Sequence, residues 1–243
     1  MSTIGCGYGS EWHLLRWLGY HRQELSAQVA SAVGADAVEW LDLEPNLKPR
    51  DAFGRDLEWV NLDFLGRADP ARVAWARTWP RARGRVGPHW DAVGRARFGA
   101  RTEWLLVEAK AHVGEVSGDC AATSPTSIAK IEAAFAEAGP SFGVADTNAW
   151  SRGHYQLANR LTLLHVMNTN GAAARLVFIY FCGDDVTRYG GGVECPPDAD
   201  GWRTALDAMH GHVGWAPGQG PLGSRVHEVF LPMDAASATS PAA

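Results

Sequence analysis

The stretch Trp104-Leu105-Leu106-Val107-Glu108-Ala109-Lys110-Ala111-His112 decides how this chain folds. Read as a β-strand, its side chains alternate between two faces. Leu105, Val107, Ala109 and Ala111 make one wholly apolar face, suited to packing against a helix, while Leu106, Glu108, Lys110 and His112 share the other. On that second face a carboxylate and an ammonium stand two residues apart at the end of an apolar strand. Charged groups there are costly unless they are paired or bound to a metal. A Glu–Lys neighbour pair on a solvated edge strand would account for the triplet by itself; the residues upstream favour a site.

Upstream, His89 to Phe98 has the composition of a second strand, and the turn Phe98-Gly99-Ala100-Arg101 joins it to a strand over Glu103–His112. Folded as a hairpin, this segment brings Asp91 near the strand end that carries Glu108 and Lys110. Two carboxylates and a lysine then converge. Such a set suits Mg²⁺, a hard cation held by one or two carboxylates together with phosphate oxygens and water. A lysine beside them can orient or help deprotonate an attacking water and stabilise charge developing on phosphorus. The chain has three lysines (Lys48, Lys110 and Lys130) against 19 arginines, so a lysine on this face suggests a need for an ammonium that Arg does not meet.

The remaining periodicities predict a helix from Ser10 to about Val33, with Ser10 as its cap and Gly34 as its stop. Further helices are expected over Ser127–Ala138, from Ser151 to about Asn168, and around Gly201–His210, with a last strand near Val226–Leu231. Arg175–Cys182 (RLVFIYFC) is a continuous apolar run, the pattern of a central strand buried on both faces. Residues 40 to 80 are Trp-rich and carry no clear period beyond an apolar segment at Trp59–Leu65. The order of elements predicts an α/β fold, a sheet flanked by helices. On a wheel of about 100° per residue, Leu14, Leu15, Leu18, Leu25 and Val29 fall within about 60° of Glu11, and Glu24 lies opposite. Glu11 is therefore expected to point into the core.

Asp91, an insertion, and then LLVEAK resemble the signature of the PD-(D/E)XK nuclease superfamily. There an Asp at the start of one strand is followed, on the next strand, by (D/E)-x-K after hydrophobic residues. The usual Pro before the Asp is replaced by Trp90, with Pro88 three residues ahead of Asp91. The resemblance implies a restriction-endonuclease-like three-layer core, a central mixed sheet flanked by helices, spanning 1–232 as one nuclease-like domain. It implies Mg²⁺ (or Mn²⁺) held by Asp91 and Glu108, with Lys110 positioning or activating the water. Members often place an acid from the first helix at the metal, the role Glu11 would take, and a Gln on the helix after the strand pair. Gln156 would then meet the metal-bound water or a phosphate, and Arg160, one turn on, a phosphate.

Charge distribution bears on the partner. From Arg67 to Arg101 there are nine arginines against two acids, a local +7 within a chain of net charge −5. Phosphate contacts come mostly from such residues, so Arg81, Arg83, Arg85 and Arg95 are candidate nucleic-acid contacts, with DNA expected ahead of RNA. Trp75, Trp79 and Trp90 lie among them and could stack on unpaired bases. A solvated Arg-rich loop is the plainer alternative. Cys6, Cys120, Cys182 and Cys195 are scattered without CxxC or zinc-ribbon spacing, and are expected reduced. The N-terminus lacks the pattern of a signal peptide and no apolar run is long enough for a bilayer, implying a cytoplasmic protein, a possible homodimer. The tail 233–243 is small and polar, and expected disordered. His210-Gly211-His212 has metal-like spacing without an acidic or Cys partner pattern, and no HExxH or GxSxG occurs. The leading expectation is a divalent-metal-dependent nuclease. The alternatives are a catalytically silent nucleic-acid-binding or protein-interaction module on the same fold, and a glycosidase, which would need two carboxyl groups facing across a cleft.

Overall fold

The computed structural model describes residues 8–42, 58–80, 87–185 and 190–233. Its centre is the strand β5 (Arg101–Lys110). The strands β1 (Ala37–Trp40), β4 (Ala92–Phe98), β6 (Ala174–Cys182) and β7 (Val226–Pro232) complete a five-stranded sheet in the order β1-β4-β5-β6-β7. β4 runs antiparallel to both β1 and β5, whereas β5, β6 and β7 are mutually parallel, so the sheet is mixed. Every residue of β6 from Leu176 to Cys182 is buried, as its apolar run demands of a central strand.

Helices cover both faces of the sheet. α1 (Ser10–Tyr20) and α2 (Arg22–Val33) pack their Leu14, Trp17, Leu25 and Val29 against Leu105, Val107, Ala109 and Ala111, the apolar face of the decisive strand. α3 (Pro70–Thr78), α4 (Pro125–Ala138), α5 (Tyr155–Thr169) and α6 (Ala199–Val213) pack on the other face with Leu106, Leu176, Phe178 and Tyr180. Each fully buried Leu or Phe stabilises the fold by roughly 1.5–3 kcal/mol, so the two apolar layers account for why one sheet stays covered on both sides.

Four local differences from the sequence reading have physical causes. The expected single helix from Ser10 to Val33 is interrupted at His21, whose φ of −128° and ψ of 32° leave the helical region. The break lets α1 lie over β5 and β6 while α2 lies toward β1 and β7. Gly34 stops α2 in the left-handed conformation at φ 71°, as expected. The expected strand over His89–Phe98 divides at Asp91: β3 (His89–Trp90) pairs instead with β2 (Trp59–Val60) in a separate two-stranded sheet. In the stretch without clear period, α3 begins where Asp69 accepts a hydrogen bond from the Ala71 N–H at 2.9 Å and Pro70 opens the first turn. α5 starts at Tyr155 rather than near Ser151, because residues Asn148–Ser151 form a separate 3₁₀ turn.

Cys120, Cys182 and Cys195 are free thiols. Among the described residues, no helix is long and apolar enough to cross a membrane. The expected disordered tail falls, from residue 234 onward, outside the described residues, as does Cys6.

Candidate active site

The hairpin β4–β5 positions the two carboxylates. Ala92 pairs with Val107, so Asp91, one residue earlier, stands across from Glu108. Asp91 is fixed from both sides: its N–H donates to Val107 O at 3.1 Å and its Oδ2 accepts from the Ala109 N–H at 2.7 Å. Lys110, two residues beyond Glu108 on the same face, donates from Nζ to Glu108 Oε1 at 2.5 Å. The structure thus brings Asp91, Glu108 and Lys110 together at one strand end.

α5 supplies the rest. Gln156 and Arg160, one turn apart, both turn to Glu108. Gln156 Nε2 donates to Oε1 at 2.7 Å, and Arg160 donates to Oε2 from Nε at 2.9 Å and from Nη2 at 2.6 Å. Arg160 Nη2 also donates to the His89 carbonyl at 2.6 Å, Nη1 to Asn159 Oδ1 at 2.8 Å, and the guanidinium lies 4.7 Å from the centre of the Trp90 ring. Arg160 therefore ties the small β2–β3 sheet to the main one.

Electrostatics separate the two acids. Burial alone would raise the Glu108 carboxyl, but the charges of Arg160 and then Lys110 outweigh it and hold the group below the usual carboxylate range. Asp91 goes the other way. Burial pushes its carboxyl up to about 7 and the Glu108 charge adds to the rise, while Lys110, the Ala109 N–H and Arg160 only partly counter it. One carboxyl is thus ionised throughout the neutral range, and its neighbour exchanges a proton near neutrality. Two acids with separated strengths in one site is the arrangement that acid–base and metal chemistry uses.

Several expected residues lie elsewhere. Glu11 is exposed, because the buried face of α1 is His13, Leu14 and Trp17. The wheel that turned Glu11 inward ran across the break at His21, and among the described residues Glu11 has no ion-pair partner; its expected metal role is withdrawn. Arg160 is 3% exposed with its donors engaged as above, so the expected phosphate contact is replaced by a contact to Glu108. Arg95 is exposed on β4 with its guanidinium 4.6 Å from the Trp104 ring centre, about 13 Å along the strand from Asp91. Arg81, Arg83 and Arg85 lie outside the described residues. Trp75, Trp79 and Trp90 are buried, the first two stacked with ring centres 4.6 Å apart, so the expected platform for unpaired bases is not displayed on the surface. His112 turns to the loop that follows β5, where its Nε2 lies 3.8 Å from Glu115 Oε1. His210 and His212 have separate partners, Glu228 Oε1 at 3.1 Å and the Arg152 carbonyl at 3.0 Å.

The sequence reading missed one buried pair. His13 Nε2 lies 3.0 Å from Asp184 Oδ2, which also accepts from the Gly9 N–H at 2.9 Å. Beside it Ser10 Oγ donates to Glu115 Oε1 at 2.9 Å, and Glu115 Oε2 accepts from the Ala111 N–H at 2.6 Å. These contacts moor the start of α1 to the carboxyl ends of β5 and β6. Acids directly after a central strand, as in Gly183-Asp184-Asp185, were the available signal, since sites in α/β sheets gather at those ends.

Among the described residues no group of three or more His, Cys, Asp or Glu forms a metal cage, and Asp91 and Glu108 stand as a pair. A pair fits a hard cation that keeps several waters and takes its remaining oxygens from a phosphate. The chemistry of the donors fits as well: a half-buried carboxyl pressed up to about 7 by its own environment gains from a nearby cation. No family model, curated protein or solved structure matches the chain.

Proposed function

We propose that this chain is a divalent-metal-dependent phosphodiesterase acting on nucleic acid, of the restriction-endonuclease-like PD-(D/E)XK type. One observation carries the reading: Asp91 stands across from Glu108 in the β4–β5 hairpin, with Lys110 on the same face of the same strand. The sheet supports it, since an antiparallel β1–β4–β5 meander followed by a parallel β6 is the framework on which the resembling motif would sit.

Asp91 and Glu108 would hold Mg²⁺ or Mn²⁺, which supplies Lewis-acid stabilisation of the phosphate and a more acidic water. Glu108 remains ionised beside Arg160 and Lys110, and Asp91 gives up its proton near neutral pH. Arg160 and Gln156 fix the Glu108 carboxylate in one orientation, which removes a reorganisation cost from the reacting arrangement. The Lys110 ammonium is placed to steer an attacking water and to meet charge developing on phosphorus. DNA is the substrate to test first, with RNA beside it.

Purified protein is expected to cut DNA or RNA in Mg²⁺ or Mn²⁺ and not in EDTA. Asp91→Ala and Lys110→Ala should each lower the rate by at least about a hundredfold while leaving circular dichroism unchanged. Absence of cleavage on single- and double-stranded forms of both nucleic acids, or variants that cut like the wild type, sinks the reading. A second reading has its own observation: both Glu108 oxygens are already engaged by Lys110, Gln156 and Arg160. On that reading the chain is a catalytically silent module that binds nucleic acid or protein. Salt-dependent nucleic-acid binding with no Mn²⁺ uptake would select it.

A further inference from the structure

Beside the carboxylate centre lies a cavity of about 430 Å³. It opens between the end of α3 (Trp79, Pro80), the start of α4 (Ser124, Ser127, Ile131), the segment 121–123, Gly87, and the Tyr155/Asn159 edge of α5. Its size falls within the roughly 300–1,000 Å³ typical of small-ligand sites. α5 makes the connection. Tyr155 and Asn159 are one turn apart, as are Gln156 and Arg160, so the helix presents two adjacent stripes, one to the cavity and one to Glu108. Asn159 belongs to both, since it lines the cavity while its Oδ1 accepts from Arg160 Nη1 at 2.8 Å.

The wall chooses the ligand. Among the described residues, none that lines it is Asp, Glu, Lys, Arg or His, so these offer nothing to balance a phosphate or an ammonium. Apolar surface from Trp79, Pro80, Ala122 and Ile131 alternates with groups that both donate and accept: Thr123, Ser124, Ser127, Tyr155 and Asn159. The Ser124 side chain makes no capping bond to α4, which leaves its hydroxyl available. A neutral, flat ring edged with alternating donors and acceptors matches such a wall, and a nucleobase is that ring.

We propose that this cavity receives one unpaired nucleobase of the strand whose phosphodiester lies at Asp91, Glu108 and Lys110. The inference rests on the phosphodiesterase reading and deepens it: the substrate is single-stranded, or carries at least one nucleotide out of its stack. A duplex keeps its bases paired and cannot fill the cavity without extruding one.

The test uses the full chain and an uncleavable phosphorothioate oligonucleotide, with anisotropy as the readout and each position in turn made abasic. One abasic position, or two neighbouring ones, should weaken binding about tenfold. Ser127→Trp, which fills the cavity, should weaken the intact strand by a similar factor and flatten the abasic scan. Ala122→Phe, from another wall, repeats the test should Ser127→Trp fold poorly by thermal unfolding. Lys110→Ala should keep the positional effect. A flat scan with the wild type, or filled variants that bind and discriminate like it, overturns the proposal. Failure of the phosphodiesterase reading looks different: no cleavage of any natural strand, whatever the scan shows.

Discussion

Asp91 is held as an acid by its surroundings, and that has a measurable sign. Its folded value of about 7 stands above the ordinary 3.8, so from about pH 4 to about pH 7 the folded chain binds the extra proton. Stability from this group is therefore lost as pH rises through that window, and the loss is complete above it. Asp91→Asn removes the ionisation. In EDTA, its stability relative to wild type, from urea unfolding, should improve by on the order of 2–3 kcal/mol between pH 5 and pH 8.5. A difference that stays flat with pH would mean that burial does not govern this carboxyl. Glu108, Lys110 and Asp91 were legible in the sequence because strand alternation and a short hairpin are local rules. Gln156 and Arg160 were legible as an i, i+4 pair, but not their common partner on β5. Glu11 was misread because nothing local marked His21 as a break. The His13–Asp184 pair joins positions far apart in the chain, which no window of periodicity spans.

Among the elements, the edge strand β1 shows how little a side chain is tolerated on β4. Gly94 lies opposite Trp40, and a Cβ there would come within 2.8 Å of the Glu39 carbonyl oxygen and 3.1 Å of the Trp40 ring. Both contacts involve β1, one of them its backbone. Gly94→Ala should therefore loosen β1 from β4 at a cost of about 1–3 kcal/mol. Amide exchange should accelerate over Ala37–Trp40 and stay slow in β6; unchanged protection of β1 would refute this account. The sequence shows the central strands more clearly than the edge. β6 has a run apolar enough to need no partner to identify it, whereas β1 is four residues long, AVEW, and owes its existence to the neighbour it pairs with. α3 was hidden for another reason: its Asp-Pro start was present, but its tryptophans and arginines blur the helical period.

At the scale of the whole molecule, buried histidines away from the candidate site add their own acid sensitivity. Burial pushes His227 down to about 4, and the Arg175 charge adds to the fall. His165 is lowered by burial as well. Below about pH 6.5 an unfolded histidine takes up a proton that its folded counterpart refuses, so the contribution of these histidines falls as pH drops from about 6.5 to about 4, against the rise from Asp91. His227→Gln, which can still accept from Arg175, should flatten that fall by roughly 2–3 kcal/mol, read from urea midpoints at pH 4.5 and pH 7. An unaltered slope would place the acid sensitivity elsewhere. The α/β arrangement, a sheet flanked by helices, was legible from the order of elements alone. Which helices lie on which side was not, because it depends on contacts between distant segments.

The hairpin turn has a longer reach than its size suggests. Two residues, Gly99 and Ala100, separate the paired Phe98 and Arg101, and Gly99 takes φ 61° at the first position, where a type II′ turn needs a glycine. From that point the register is counted out pair by pair to Ala92 and Val107. One residue more or fewer at the tip would slide the whole ladder and turn every side chain of one strand to the opposite face. Asp91 would then look away from Glu108, although nothing within roughly 25 Å of it had been altered. The spelling of two carboxylates as neighbours is thus a matter of counting, kept by a loop that touches neither.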